Sequence, residues 1–152
     1  MKKIWFFLGL PLAVGGLATL FAGGMKSYGN FNQPPLSPPG WLFPVVWTLL
    51  YLAMGYASYR VYTRGTNKAE VRKSLTIYGV QLFFNFLWPI VFFRMEAFLG
   101  AFVVLMILWC LIVATLWQFS KSDERAADLL IPYLLWVTFA GYLNLGVYLL
   151  NG

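Results

Sequence analysis

The side chains best placed for chemistry in this chain are amides and aromatics, not acids or bases. Gln81, Asn85 and Trp88, in the stretch QLFFNFLWP, fall at i, i+4 and i+7 and so share one face of a helix. An amide in hydrocarbon costs free energy unless it is hydrogen-bonded, so this face looks at another helix or at a ligand. Both readings are open for Gln81 and Asn85. Trp47 and Tyr51, four residues apart, share a second face, with Thr48 alongside. A third face carries Trp136, Ala140 and Leu143 at i, i+4 and i+7, with Asn144 beside them. There the small Ala140 between larger residues leaves a hollow for a neighbouring helix or a flat ligand. Indole and phenol faces around such a hollow suit a planar, apolar ring system, each aromatic pair adding about 0.5–1.5 kcal/mol beyond area burial. Anchoring at a membrane interface accounts for Trp5, Trp41 and Trp117 without any ligand.

Other chemistries are disfavoured. The chain has no histidine, and its acids Glu70, Glu96, Asp123, Glu124 and Asp128 all fall at helix ends or in connections. Proton relays and ion pathways use ionisable groups inside the membrane, and the apolar runs hold none. No metal site and no required cofactor are expected. A haem could take an axial side chain only from Cys110, a tyrosine or a methionine, and nothing singles one out.

The elements that must position these faces are transmembrane helices. Of 152 residues, 61% are hydrophobic and 11% charged, against about 25% charged in a soluble domain. The spacing predicts an all-α integral membrane protein, a single domain folded as a five-transmembrane-helix bundle. Helices are expected at about 4–25, 41–62, 73–93, 97–119 and 129–150, with a loop at 26–40. The first run is too long for a signal-peptide core of about 7–15 residues, so it is read as a retained helix. Pro11 predicts a bend in it, and the pair Gly15, Gly16 a close neighbour.

The loop at 26–40 carries Tyr28 and then Pro34, Pro35, Pro38 and Pro39. Each proline fixes φ and removes a backbone donor, so the stretch reads as a stiff lid over a pocket. The net charge of +6 is not gathered in one block or on one amphipathic face, which argues against nucleic acid. Lys2, Lys3, Arg60, Arg64, Lys68, Arg72, Lys73, Lys121 and Arg125 collect on one side of the five spans, and Lys26 and Arg94 on the other. The positive-inside rule then places the amino terminus in the cytoplasm and the lid outside. Small residues Gly79, Ala97, Gly100 and Ala101 offer a close contact between subunits.

Three stretches, PPGWLFPVVWTLLYLAMGYASY at 38–59, QLFFNFLWPIVFF at 81–93 and PYLLWVTFAGYLN at 132–144, carry a resemblance over nearly the whole chain. The protein resembles the translocator protein or tryptophan-rich sensory protein family, which includes the peripheral benzodiazepine receptor. The resemblance implies a five-helix bundle in a membrane, for a bacterial-type member the plasma membrane. It also implies a homodimer that binds porphyrins such as protoporphyrin IX, and benzodiazepine- or isoquinoline-type drugs, beneath the first loop. The ligand-binding residues it points to are Tyr28, Pro38, Trp47, Tyr51, Asn85, Trp136, Ala140, Leu143 and Asn144. An alternative is a light- and oxygen-dependent porphyrin-degrading enzyme, with Trp47 and Trp136 as its catalytic residues.

The chain departs from the family's pattern at Ser27-Tyr28, where Trp-Tyr is common, at Leu36, where a tryptophan is common, and at Pro44-Val45, where the proline sits one residue early. The last departure is expected to move the kink of the second helix. Cholesterol-binding members place a basic residue after a tyrosine near the carboxyl end. Tyr148 is followed only by Leu149, Leu150, Asn151 and Gly152, so no sterol binding is expected there.

Overall fold

The computed structural model describes residues 2–22 and 34–151. Among these the chain is helical throughout, with no strand: α1 (Lys2–Phe21), α2 (Leu42–Arg64), α3 (Lys68–Pro89), α4 (Phe98–Ser120), α5 (Glu124–Leu129) and α6 (Ile131–Asn151). A π-helical turn, Ile90–Arg94, continues α3. Five stretches among the described residues are long and apolar enough to cross a membrane, the last combining α5 and α6. The fold class expected from the spacing is the one observed.

The helix ends differ from the expected ones for identifiable reasons. α3 begins at Lys68 because Asn67 caps it, its Oδ1 accepting from the backbone N–H groups of Ala69 (3.0 Å) and Glu70 (3.2 Å). Glu70 in the first turn adds a favourable charge at the positive end of the helix dipole. The expected mixed-charge connection before the last span instead folds from Glu124 as α5. The break before α6 falls at Leu130, and Pro132 then sits in the first turn of α6, where its missing N–H leaves nothing unsatisfied. Pro44 does not kink α2: it lies in the first turn, where a missing N–H leaves nothing unsatisfied.

The reversal between α3 and α4 starts at Pro89, whose missing donor lets the ladder widen. Met95 N–H bonds Ile90 O at 3.0 Å, an i to i+5 spacing, and Ala97 N–H bonds Val91 O at 3.1 Å. Glu96 then takes φ 52° to turn the chain.

α3 packs most extensively on α4, α1 on α2, and α4 on α6. The centre holds Met54, Leu105, Leu108, Ile112, Phe119, Tyr133 and Val137, all within 1% of full burial. Ala101 also lies in this interior, fully buried, so it is no part of an outward small-residue face; Gly79 and Gly100 do face outward. At one end of the bundle Arg60 Nε donates to Asp123 Oδ2 at 2.5 Å and Nη2 to Oδ1 at 3.4 Å, fastening α2 to the start of α5. On the same side, Lys3 Nζ donates to Tyr62 Oη at 2.6 Å, so the start of α1 lies beside the end of α2.

Candidate functional site

The described part of the lid is clamped rather than draped. Ser37 Oγ donates to Pro34 O at 2.7 Å, tightening the loop on itself, and Tyr142 Oη of α6 donates to Pro35 O at 2.7 Å. Pro34 rests directly on Gly146, where an added Cβ would come within 2.5 Å of the ring. Between these anchors Leu36 stands 84% exposed with φ 70°, a conformation that leucine rarely adopts.

Beneath the lid side of the bundle is a cavity of about 120 Å³. α1 gives it Gly15, Ala18 and Thr19; α2 gives Phe43, Pro44, Trp47 and Tyr51; α3 and the π turn give Asn85, Trp88, Pro89 and Phe93. The lining holds no charged side chain. Gly15 is required at its position because the Tyr51 ring occupies the space where a Cβ would stand; Gly16 faces open space. Trp47 lies tilted on Tyr51 with centroids 5.6 Å apart, and meets Trp136 edge-on at 6.5 Å and Tyr133 edge-on at 6.2 Å.

A second void of about 20 Å³ lies against α6, lined by Ser37, Ala140, Leu143, Asn144 and Val147 together with Phe43, Trp88, Phe92 and Phe93. Phe43, Trp88 and Phe93 wall both spaces, and Trp88 is held between them by donating from Nε1 to Asn144 Oδ1 at 2.8 Å. Asn144 Nδ2 in turn donates to Phe98 O at 2.8 Å.

The polar side chains of the α3 face are engaged with each other and with neighbouring helices. Tyr51 Oη donates to Asn85 Oδ1 at 2.7 Å, Asn85 Nδ2 to Tyr133 Oη at 2.7 Å, and Tyr133 Oη to Gln81 Oε1 at 2.8 Å. Gln81 therefore joins helices, whereas Asn85 both joins helices and faces the cavity. Trp136 lines neither void; it packs edge-on against Phe43 at 5.8 Å, and its buried Nε1–H has no hydrogen-bond partner among the described residues.

The sequence-predicted residues therefore divide. Trp47, Tyr51 and Asn85 meet on the larger cavity; Ala140, Leu143 and Asn144 meet on the smaller one; Trp136 backs the wall between α2 and α6; Pro38 is half-buried in the lid. Tyr28 lies outside the described residues. Sequence spacing missed the contribution of α1, although Gly15, Ala18 and Thr19 form a small-residue face at i, i+3 and i+4. It also missed Phe93, eight residues beyond Asn85 and past Pro89, which reaches the cavity from within the π turn.

This bundle and its aromatic stretches have counterparts in known proteins. A sequence model of the TspO/MBR family matches residues 7–150. The chain belongs to the TspO/MBR family. It is 40% identical to the tryptophan-rich protein TspO of Chlorobaculum tepidum over 146 residues, covering 95% of this chain and 92% of that one. It is 42% identical to the tryptophan-rich sensory protein of Cereibacter sphaeroides, covering 82% of this chain and 76% of that one. It is also 37% identical to the translocator protein of Bos taurus, with 80% and 72% covered. Membership of the TspO/MBR family and the five apolar spans make the chain an integral multi-pass membrane protein.

Proposed function

We propose that this protein binds porphyrins such as protoporphyrin IX, and smaller benzodiazepine- or isoquinoline-type compounds, in the aromatic space under the first loop. The observation that carries the reading is an uncharged cavity walled by Trp47, Tyr51, Phe43 and Trp88 beneath a lid anchored on α6. Aromatic faces at this density favour flat apolar rings. Trp136, behind Trp47 and Phe43, supports that aromatic wall rather than lining the space itself. At about 120 Å³ the cavity is below the roughly 300–1,000 Å³ of pockets for drug-sized molecules. Displacing Trp88 joins the two voids, and a macrocycle also needs the surrounding walls to part, since the voids together stay below that range. The amino terminus lies in the cytoplasm, the lid on the opposite side, and the protein pairs as a homodimer; the distribution of basic residues supports the first two statements.

Protoporphyrin quenches the tryptophan fluorescence of the purified protein saturably on this reading, and Trp47→Ala and Trp136→Ala each weaken the binding. Quenching that fails to saturate, or that both variants leave unchanged, refutes it.

A second reading is favoured by the edge-on pair Trp47 and Trp136, 6.5 Å apart at the cavity wall. On it, an illuminated porphyrin activates dioxygen, both oxygen atoms add across a carbon–carbon double bond of the ring and cleave it to two carbonyls, and the adjacent indoles donate electrons to, or trap, the reactive oxygen formed beside them. Bleaching to a defined product that is as fast in Trp136→Phe as in the parent protein removes Trp136 from that chemistry.

A further inference from the structure

Away from the aromatic cavity, the end of α2 and the start of α3 enclose an open cleft of about 700 Å³. Its rim carries Lys68 and Arg72, one helical turn apart and both exposed; its floor carries Val71 and Leu75, again one turn apart. Tyr62 forms the α2 wall, and Lys3 reaches it from α1 with its ammonium 4.9 Å from the ring centre. Two cationic groups thus line one cleft with an apolar base, and a third, Lys3, is held on its Tyr62 wall.

No acid balances them. Among the described residues the single ion pair is Arg60 with Asp123, and the carboxylate of Glu70 is directed to α4, where it accepts from Gln118 Nε2. The first N–H groups of α3 are occupied by Asn67, so the helix terminus contributes little beyond the side chains. A neighbouring polar cleft, lined by Arg60, Arg64, Lys121, Asp123, Glu124 and Arg125, is mixed in charge and provides a natural contrast.

Cations at the end of a transmembrane helix over an apolar floor match the two ends of one molecule. We infer that this cleft binds an anionic phospholipid, its phosphate between Lys68 and Arg72 and the start of an acyl chain against Val71 and Leu75. Basic pockets between transmembrane helices recognise lipid headgroups by this chemistry, each cation near the surface counting for about a fivefold change in affinity. The inference is independent of what the aromatic cavity binds.

The test uses the full chain in neutral detergent, titrated with phosphatidylglycerol or phosphatidylcholine and read by native mass spectrometry. Phosphatidylglycerol is retained preferentially, and Lys68→Gln/Arg72→Gln weakens it roughly thirtyfold, while Arg64→Gln/Arg125→Gln in the contrasting cleft leaves it unchanged. The charge-preserving pair Lys68→Arg/Arg72→Lys keeps the preference, with helical circular dichroism confirming that each variant is folded. Equal retention of the two lipids, or undiminished binding in the glutamine pair, overturns the inference. So does soluble glycerol phosphate binding as tightly as the lipid, which would assign the cleft to a free anion.

Discussion

The Tyr51 hydroxyl is bonded to the Asn85 side chain at 2.7 Å, so one residue pair both joins α2 to α3 and forms part of the cavity wall. The same amide holds Tyr133 of α6 at 2.7 Å, which makes Asn85 the shared node of three helices. Cavity wall and bundle stability are therefore coupled at one side chain.

Substitutions at this node separate by how many partners they strand. Tyr51→Phe removes one hydroxyl and its bond, a loss of about 0.5–1.5 kcal/mol. Asn85→Leu leaves the Tyr51 hydroxyl with no partner, while Tyr133 keeps its bond to Gln81, and costs more, about 1–3 kcal/mol for the stranded group together with the lost bond to Tyr133. Thermal midpoints in detergent rank the variants; equal midpoints would show that Asn85 is not the node.

The paired glycines of α1 give a sharper contrast. Gly15→Ala drives a methyl group into the Tyr51 ring and destabilises by about 1–3 kcal/mol. Gly16→Ala meets open space and, by raising helix propensity, leaves stability unchanged or slightly improved. Denaturant midpoints of the two variants check this asymmetry.

The Arg60 to Asp123 pair predicts an acid dependence. The Arg60 guanidinium bonded to Asp123 holds its carboxyl below the usual carboxylate range, outweighing the opposite push of burial. A carboxyl depressed in the folded state stabilises the fold fully above its unfolded pKa, about 3.9. That contribution is lost as the pH falls through the lower folded value. Thermal midpoints measured from pH 6 downward therefore fall more steeply for the parent protein than for Asp123→Asn.

Much of this architecture was legible because apolar runs, tryptophan faces and prolines carry their meaning locally. The turn at Arg94–Glu96 and the faces of Trp47 with Tyr51, and of Ala140 with Leu143, follow from spacing alone. The assignment of Gln81 and Asn85 did not, because an amide serves a helix contact and a ligand equally well until its partners are known. The early start of α3 was available in Asn67 and Glu70, three residues apart as in a capping box, but the surrounding basic residues read as a connection. The extra residue of the π turn has no periodic signature, and so nothing singled out Phe93 as a wall residue.

Tyr142 and Gly146 share a face of α6, and together they fix the lid by a hydroxyl bond on one side and by bare backbone contact on the other. Tyr142→Phe removes the first without disturbing the second. On the porphyrin-binding reading it speeds release by about two- to tenfold, measurable by stopped-flow recovery of tryptophan fluorescence.

On the porphyrin-binding reading, Trp88, standing between the two voids on its bond to Asn144, turns ligand size into a kinetic property. A compound small enough for the first chamber associates with a closed partition. A macrocycle waits for the fraction of molecules whose partition is already open, and its apparent affinity is scaled down by that fraction. Large and small ligands of this pocket thus differ most in how fast they arrive, with the large ones showing slow, steeply temperature-dependent association.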